Sequence, residues 1–308
     1  MIGRLTLALL ALALAVVPSA LASGGYTFTT VDYPGAADTA AYAINDHGDI
    51  VGSYGDNLDI YPGHAFLLSK GTFTTTDFPG STLTFPYGIN NHRQVVGAWA
   101  GSDLLQHGFK LRARRMVFKS VDAPCTNTNQ SLLYGINNVH EAIAVCLLSD
   151  GSIDGSFVNH GKHFTAIPAF PGSFQSLGSG INDSGDILGI WVDPNQNTFH
   201  GYLLVQGKFT QLDDPDAGQT NCTGIAPYGY ENCSTAPSTI NNLGQAVGWF
   251  VDGAGAAHGF LLSNGTYTTI DVPGAVVTNA FGINNAGQIV GYYIDASGVA
   301  HGFLATPQ

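Results

Sequence analysis

Residues 240–248 read Ile-Asn-Asn-Leu-Gly-Gln-Ala-Val-Gly, and the Ile-Asn-Asn/Asp core of this stretch returns at Ile44, Ile89, Ile136, Ile181 and Ile283. The first asparagines of the copies, Asn45, Asn90, Asn137, Asn182, Asn241 and Asn284, lie 45, 47, 45, 59 and 43 residues apart. A period of this length marks stacked supersecondary units that cannot bury their apolar faces alone.

The copy beginning at Ile240 reads outward as four strands. Ile240 ends a short strand, Asn241 to Gly244 make a turn, and Gln245 to Phe250 form a second strand. A loop at 252–257 leads to a third strand, His258 to Leu262. Asn264-Gly265 then gives the strongest short hairpin signal, a type I′ turn. The fourth strand, Thr266 to Asp271, stops at Val272-Pro273-Gly274. Four short antiparallel strands per repeat predict a β-propeller blade. Apolar residues on both faces of Gln288 to Tyr293 fit blades sandwiched between neighbours.

The chain finishes after a third strand, His301 to Leu304, whereas Tyr26 to Gly35 matches the fourth-strand segment Tyr267 to Gly274. The expected fold is therefore all-β: one six-bladed β-propeller of four-stranded antiparallel blades over residues 24–308. The N-terminal strand would pair with the C-terminal blade, and a loop is inserted at 214–237. Such closure removes the open ends of a linear β-solenoid, and with them its exposed edges; a linear β-solenoid or tandem small sheets are the alternative topologies.

Residues 1–22 read as a signal peptide, with Arg4 as the positive region, Leu5 to Val17 as the apolar run and Ala20-Leu21-Ala22 as the cleavage site. That run is shorter than the roughly 20 residues a membrane span needs. The expected location is secreted or extracellular, or periplasmic, with no membrane span after cleavage. A net charge of −12 with only 10 Lys and Arg argues against nucleic acid as a partner. The one basic cluster, Arg112-Ala113-Arg114-Arg115, reads as a solvated turn. Four cysteines in an exported chain allow three connectivities. The favoured pairs are Cys222–Cys233, closing the insertion, and Cys125–Cys146 in the third repeat; no Cys pair has His at zinc spacing.

His opens the third strand at His64, His107, His200, His258 and His301, and Asp ends the fourth at Asp77, Asp122, Asp213, Asp271 and Asp32. A two-residue hairpin turn sets His64, His200 and His258 directly opposite Asp77, Asp213 and Asp271. The third repeat has Asp154 and Pro168 instead, losing both partners together. Acid–base or metal sites are one reading of these pairs. A repeated structural hydrogen bond is favoured, because a catalytic dyad is needed once and no Ser or Cys nucleophile recurs beside them. The acid-rich turns at 45–49 and 182–186 raise calcium as a cofactor. Calcium wants about six to eight oxygens, however, and Asx turns explain the pattern more simply. Apart from that calcium reading, no cofactor and no metal site are expected. Gly fills the fourth turn position in four copies; Arg93 and His140 depart from it.

The triplet His64-Ala65-Phe66, the His-Gly-Phe triplets at 107–109, 258–260 and 301–303, and the recurrent Ile-Asn-Asn-x-Gly-Gln-x-Val-Gly resemble the HAF-repeat family of bacterial extracellular repeat proteins. The resemblance spans essentially the whole mature chain, with the third repeat departing most. It implies export and a repeat fold, and it brings no activity or catalytic residues.

The residue two before each anchoring Ile is Tyr42, Tyr87, Tyr134, Ser179, Ser238 or Phe281. Pointing inward, these would make one side of a central channel aromatic, which suits stacking on sugars or other flat ligands. The inserted loop adds Tyr228, Tyr230 and Glu231 as ligand-binding candidates. The functional reading is a binding or scaffold module for carbohydrate or protein. A propeller hydrolase or lyase working at the channel mouth is the competing class, and a structural envelope or matrix protein is a third.

Overall fold

The computed structural model describes residues 25–55, 63–194, 198–218 and 234–308. They form 24 β-strands and, among the described residues, one single-turn 3-10 helix at Ala113–Arg115. The first strand, β1 (Tyr26–Val31), stands apart in sequence from the unit it joins. The strands that follow run in sets of four. The first set is β2 (Asp38–Ile44), β3 (Ile50–Gly55), β4 (His64–Ser69) and β5 (Thr72–Thr75); the second is β6 (Leu83–Ile89), β7 (Gln94–Ala100), β8 (Gln106–Arg112) and β9 (Val117–Ser120). The third is β10 (Gln130–Ile136), β11 (Ala142–Leu147), β12 (Ile153–Asn159) and β13 (Phe164–Ala166), followed by β14 (Gln175–Ile181), β15 (Ile187–Val192), β16 (Phe199–Val205) and β17 (Lys208–Leu212). The fifth is β18 (Thr235–Ile240), β19 (Ala246–Val251), β20 (Ala257–Ser263) and β21 (Thr266–Ile270), and the last three strands are β22 (Val277–Ile283), β23 (Ile289–Ile294) and β24 (Ala300–Pro307).

The first four sets are separate antiparallel sheets. The fifth set and the β22–β23–β24 unit count as one eight-stranded sheet because a single parallel pair, Ala257 opposite Val277, links them. β1 lies antiparallel to β24, with Tyr26 opposite Pro307 and Val31 opposite Gly302, and so supplies that unit's fourth strand.

Both faces of each sheet are apolar because each packs on the next. Val51 of the first unit is buried with Val95, Phe109 and Leu111 of the second, and Leu188 of the fourth with Ile240 and Ala246 of the fifth. The last unit meets the first in the same way: Val290 joins a buried cluster with Ile44, Ile50 and Phe66. The Val-Gly of the repeat motif is explained by close approach. A Cβ on Gly97 would sit 1.8 Å from the Phe85 carbonyl oxygen and 2.8 Å from the Phe109 ring. A side chain on Gly97 therefore has no room between the inner strand and the aromatic ring of the third strand.

The links between units are held by one repeated bond. The backbone N–H of Tyr33, Phe78, Ala123, Phe170, Asp214 and Val272 donates to Thr39, Thr84, Ser131, Ser176, Thr235 and Thr278 respectively, at 3.0–3.2 Å. A hydroxyl near the start of each inner strand thus satisfies a donor that the passing backbone would otherwise leave unpaired.

Candidate functional site

Each inner strand carries one β-bulge, and the bulge decides what faces the middle of the molecule. Register shifts fall between Ala41 and Ala43, Pro86 and Gly88, Leu133 and Ile136, Gly178 and Gly180, Pro237 and Thr239, and Ala280 and Gly282. The residues that the strand register skips include Tyr42, Tyr87, Tyr134, Ser179, Ser238 and Phe281. A bulge re-aims a side chain in this way, and all six line one central cavity of about 320 Å³. The structure thus brings Tyr42, Tyr87, Tyr134 and Phe281 together. Tyr228, Tyr230, Glu231, Cys222, Cys233 and residues 1–22, read from sequence as a signal peptide, lie outside the described residues.

The cavity wall is lopsided. Phe281, Tyr42, Tyr87 and Tyr134 form a continuous arc with ring centroids 5.6, 5.7 and 5.1 Å apart. On the other side, Ser179 and Ser238 leave room, and Leu177, Ile190, Pro237 and Trp249 of the fourth and fifth units line the space they vacate. Ser53 Oγ donates to the Tyr42 hydroxyl at 3.0 Å, and Ser179 Oγ to the Pro237 carbonyl at 2.9 Å. Burial raises the Tyr87 hydroxyl well above the ordinary phenol value, with the neighbouring tyrosines adding to it, and burial raises Tyr134 as well. These hydroxyls stay neutral. No Lys, Arg or His is among the described residues that line the cavity.

The Asn turns rim one mouth. In each, the first Asn ties its own turn: Asn45 Oδ1 accepts from the backbone N–H of His47 and Asp49, both at 3.0 Å. Its Nδ2 reaches the carbonyl of Asn90 in the next unit at 3.1 Å. The second Asx residues bind one another in sequence. The N–H of Asp46 donates to Asn91, Asn91 to Asn138, Asn138 to Asp183, Asp183 to Asn242, Asn242 to Asn285 and Asn285 to Asp46, all at 2.7–2.9 Å. The two carboxylates have a stated job here. Asp46 Oδ2 accepts the amides of Asn91 and Asn285, and Asp183 Oδ2 those of Asn138 and Asn242.

The departures from Gly in these turns are ties between units. Arg93 (φ 58°) and His140 (φ 74°) hold the left-handed conformation that favours Gly. Arg93 forms a bidentate pair with Asp49 at 2.7 and 2.8 Å, and His140 Nδ1 lies 2.6 Å from Gln94 Oε1. Asp49 is buried, which opposes ionisation, but bonds from Ser69, Arg93 and Asn45 outweigh this and hold its carboxyl below the usual range. The carboxylate oxygens of this acid-rich turn are thus engaged by protein donors.

The opposite face carries the ends of the second and fourth strands. There Nδ1 of His64, His107, His200, His258 and His301 meets Asp77, Asp122, Asp213, Asp271 and Asp32 at 2.7, 3.3, 2.9, 2.8 and 2.8 Å. Sequence reasoning missed the third member of each group. Tyr54, Trp99, Trp191, Phe250 and Tyr293 stack on these imidazoles at 4.6–5.3 Å. Each stands nine residues after its unit's first Asn, a spacing that was there to be found. At that same offset the third unit has Cys146, bonded to Cys125 in the segment between β9 and β10. Asp154, at the His position, instead accepts the N–H groups of Thr126 and Asn127 in that segment. A disulfide and a carboxylate clasp replace the aromatic–His–Asp stack.

Comparison with protein-family models and with curated proteins returns no match. Among solved structures, the chain is similar to a lectin of Aleuria aurantia in complex with Fucα1-6GlcNAc, at 11% identity over 87% of this chain and 91% of that one, TM-score 0.50. That lectin has a six-bladed β-propeller fold and a novel fucose recognition mode. AofleA from Arthrobotrys oligospora matches at 10% identity over 87% and 83% of the two chains, TM-score 0.50. A gluconolactonase from Xanthomonas campestris matches at 8% identity over 93% and 91%, TM-score 0.52. At such identities the likeness is one of fold: an all-β chain of four-stranded antiparallel sheets in a propeller arrangement.

Proposed function

We propose that this chain is an exported, closed six-bladed β-propeller that binds a neutral carbohydrate in its central cavity. The observation that carries the reading is the cavity wall, in which the Phe281–Tyr42–Tyr87–Tyr134 arc faces two serine positions backed by Trp249. Aromatic rings suit the C–H faces of a sugar, while phenol and serine hydroxyls suit its polar edges. A volume of about 320 Å³ lies at the small end of ligand pockets, which run roughly 300–1,000 Å³. Neutral phenols, the lack of a basic side chain among the described lining residues, and Asp46 and Asp183 at the rim all disfavour an anionic ligand.

Closure is supported by the Asx sequence that returns from Asn285 to Asp46, by the β1–β24 pairing and by the buried cluster joining Val290 to the first unit. Export is supported by the Cys125–Cys146 disulfide, since such bonds persist in oxidising compartments. The lectins of similar fold add that a propeller scaffold can hold sugars.

The test is a glycan-array screen of residues 23–308 with and without EDTA. Signals on neutral glycans, unchanged by EDTA, are expected. Signals confined to acidic glycans, or an array silent throughout, would overturn the carbohydrate reading, and signals abolished by EDTA would restore calcium.

A further inference from the structure

The β8–β9 hairpin stands apart from its counterparts in charge and exposed apolar surface together. In the first, fourth and fifth units this hairpin closes through two residues, Lys70-Gly71, Gln206-Gly207 and Asn264-Gly265, and in the third, where Asn159 lies opposite Phe164, through four. Here it closes through the 3-10 turn Ala113–Arg115 followed by Met116 at φ 50°. The protein has 10 Lys and Arg in all and a net charge of −12, yet Arg93, Lys110, Arg112, Arg114, Arg115 and Lys119 fall within residues 93–119, with Asp103 as the one acid there.

Arg93 pairs with Asp49; among the described residues the other five cations have no carboxylate partner within ion-pair distance. Lys110 and Lys119 even sit directly opposite each other across the strand pair. Like charges so placed are destabilising unless something anionic lies over them. Burial, with Lys119 adding to it, lowers Lys110 to about 8. Between these charges the tip exposes two large apolar side chains, Met116 at 44% and Val117 at 51%.

We propose that this hairpin docks the protein on an anionic lipid surface, with its arginines and lysines at the headgroups and Met116 and Val117 entering the interface. Cations alone would suit any polyanion. The exposed apolar pair between them is what selects a bilayer, where a basic rim and an apolar tip act together. Screening over about 8 Å at physiological salt lets the tip respond to the surface while acids farther along the molecule do not. Alternating strand direction puts this hairpin on the same side as the Asn turns. Docking there leaves the His–Asp face pointing away from the lipid.

The test is co-sedimentation of the mature protein with vesicles of phosphatidylglycerol and phosphatidylcholine, against phosphatidylcholine alone, in physiological salt. Binding to the anionic vesicles only is expected. Arg114→Gln/Arg115→Gln should lower partitioning at least tenfold. Met116→Ser/Val117→Thr, which leaves the charge unchanged, should lower it several-fold; thermal melts of both variants should match the parent. Absence of vesicle binding overturns the proposal. So does binding that Met116→Ser/Val117→Thr leaves intact while the protein is retained on heparin, because the hairpin is then a site for soluble polyanions.

Discussion

Asn285 donates its backbone N–H to Asp46 Oδ1 at 2.8 Å and its side-chain amide to Asp46 Oδ2 at 2.8 Å, across 239 residues of sequence. The same Oδ2 takes the Asn91 amide at 2.7 Å. Asp46 thus accepts from the neighbours on both sides, one of which is the last repeat. Replacing it by Asn would set an amide donor against two others. Asp46→Asn should cost about 1 kcal/mol, the usual net value of such a bond, with no gain in stability on urea denaturation; an unchanged midpoint would count against the Asx ring as a structural tie.

The pH dependence of that loss follows from the carboxyl. Burial opposes ionisation of Asp46, but bonds from Asn91 and Asn285 outweigh it and hold its pKa below the usual range. A lowered folded value means the contribution is present above the unfolded value of about 3.9. It fades as pH falls through the folded value. The stability gap between parent and Asp46→Asn should therefore be full at pH 7 and shrink below about pH 4, which denaturation curves across that range would show.

His258 runs the other way. Its hydrogen bond to Asp271 raises it above the ordinary imidazole value, burial opposes this, and Asp252 adds to the rise. Its contribution is present below about 6.5 and lost as pH rises through the folded value. Asp271→Asn should therefore destabilise more at pH 5.5 than at pH 8.5. An equal loss at both values would mean that the imidazolium is not what the carboxylate stabilises.

The third unit depends on Cys125–Cys146 where the others have stacked rings. Its loop of 21 residues in sequence implies a loss of about 3 kcal/mol when the bond is removed. Cys125→Ala/Cys146→Ala should show this in denaturation, and an unchanged midpoint would count against the disulfide as the third unit's tie.

Removing residues 24–35 takes away β1, its six register pairs with β24 and the His301–Asp32 bond. A large fall in melting temperature is expected, and an unchanged melting curve would contradict closure by the N-terminal strand.

Much of this was legible because the repeat supplies its own alignment. Asn-x-x-Gly and Asn-Gly turns fix strand ends by local chemistry, and hairpin register then places His258 against Asp271 without any tertiary knowledge. The bulges were not readable: the skipped register at Tyr42 depends on how the inner strand meets β3, though the side chain it aims inward was the one expected. The Asx ring needs neighbouring units at the right distance, which no single repeat encodes. The aromatic at the ninth position was readable and overlooked, because Tyr54, Trp99 and Phe250 look like ordinary strand residues until an imidazole is laid on them. The lopsided cavity comes from Ser179 and Ser238 being small together with Ile190 and Trp249 behind them, a pairing visible only in three dimensions.

The most direct measurement fills that gap. Phe281 occupies the same bulge position as Ser179 and Ser238, so the backbone there accepts a phenyl ring. Calorimetric titration of the parent and of Ser179→Phe/Ser238→Phe against fucose, galactose, mannose and N-acetylglucosamine would compare an open with a plugged cavity. Saturable binding of one such sugar by the parent, at one site per chain, and its loss in a variant with an unchanged melting temperature, is the predicted result. Equal binding by the plugged protein, or none by the parent, would contradict the assignment of the central cavity as the carbohydrate site.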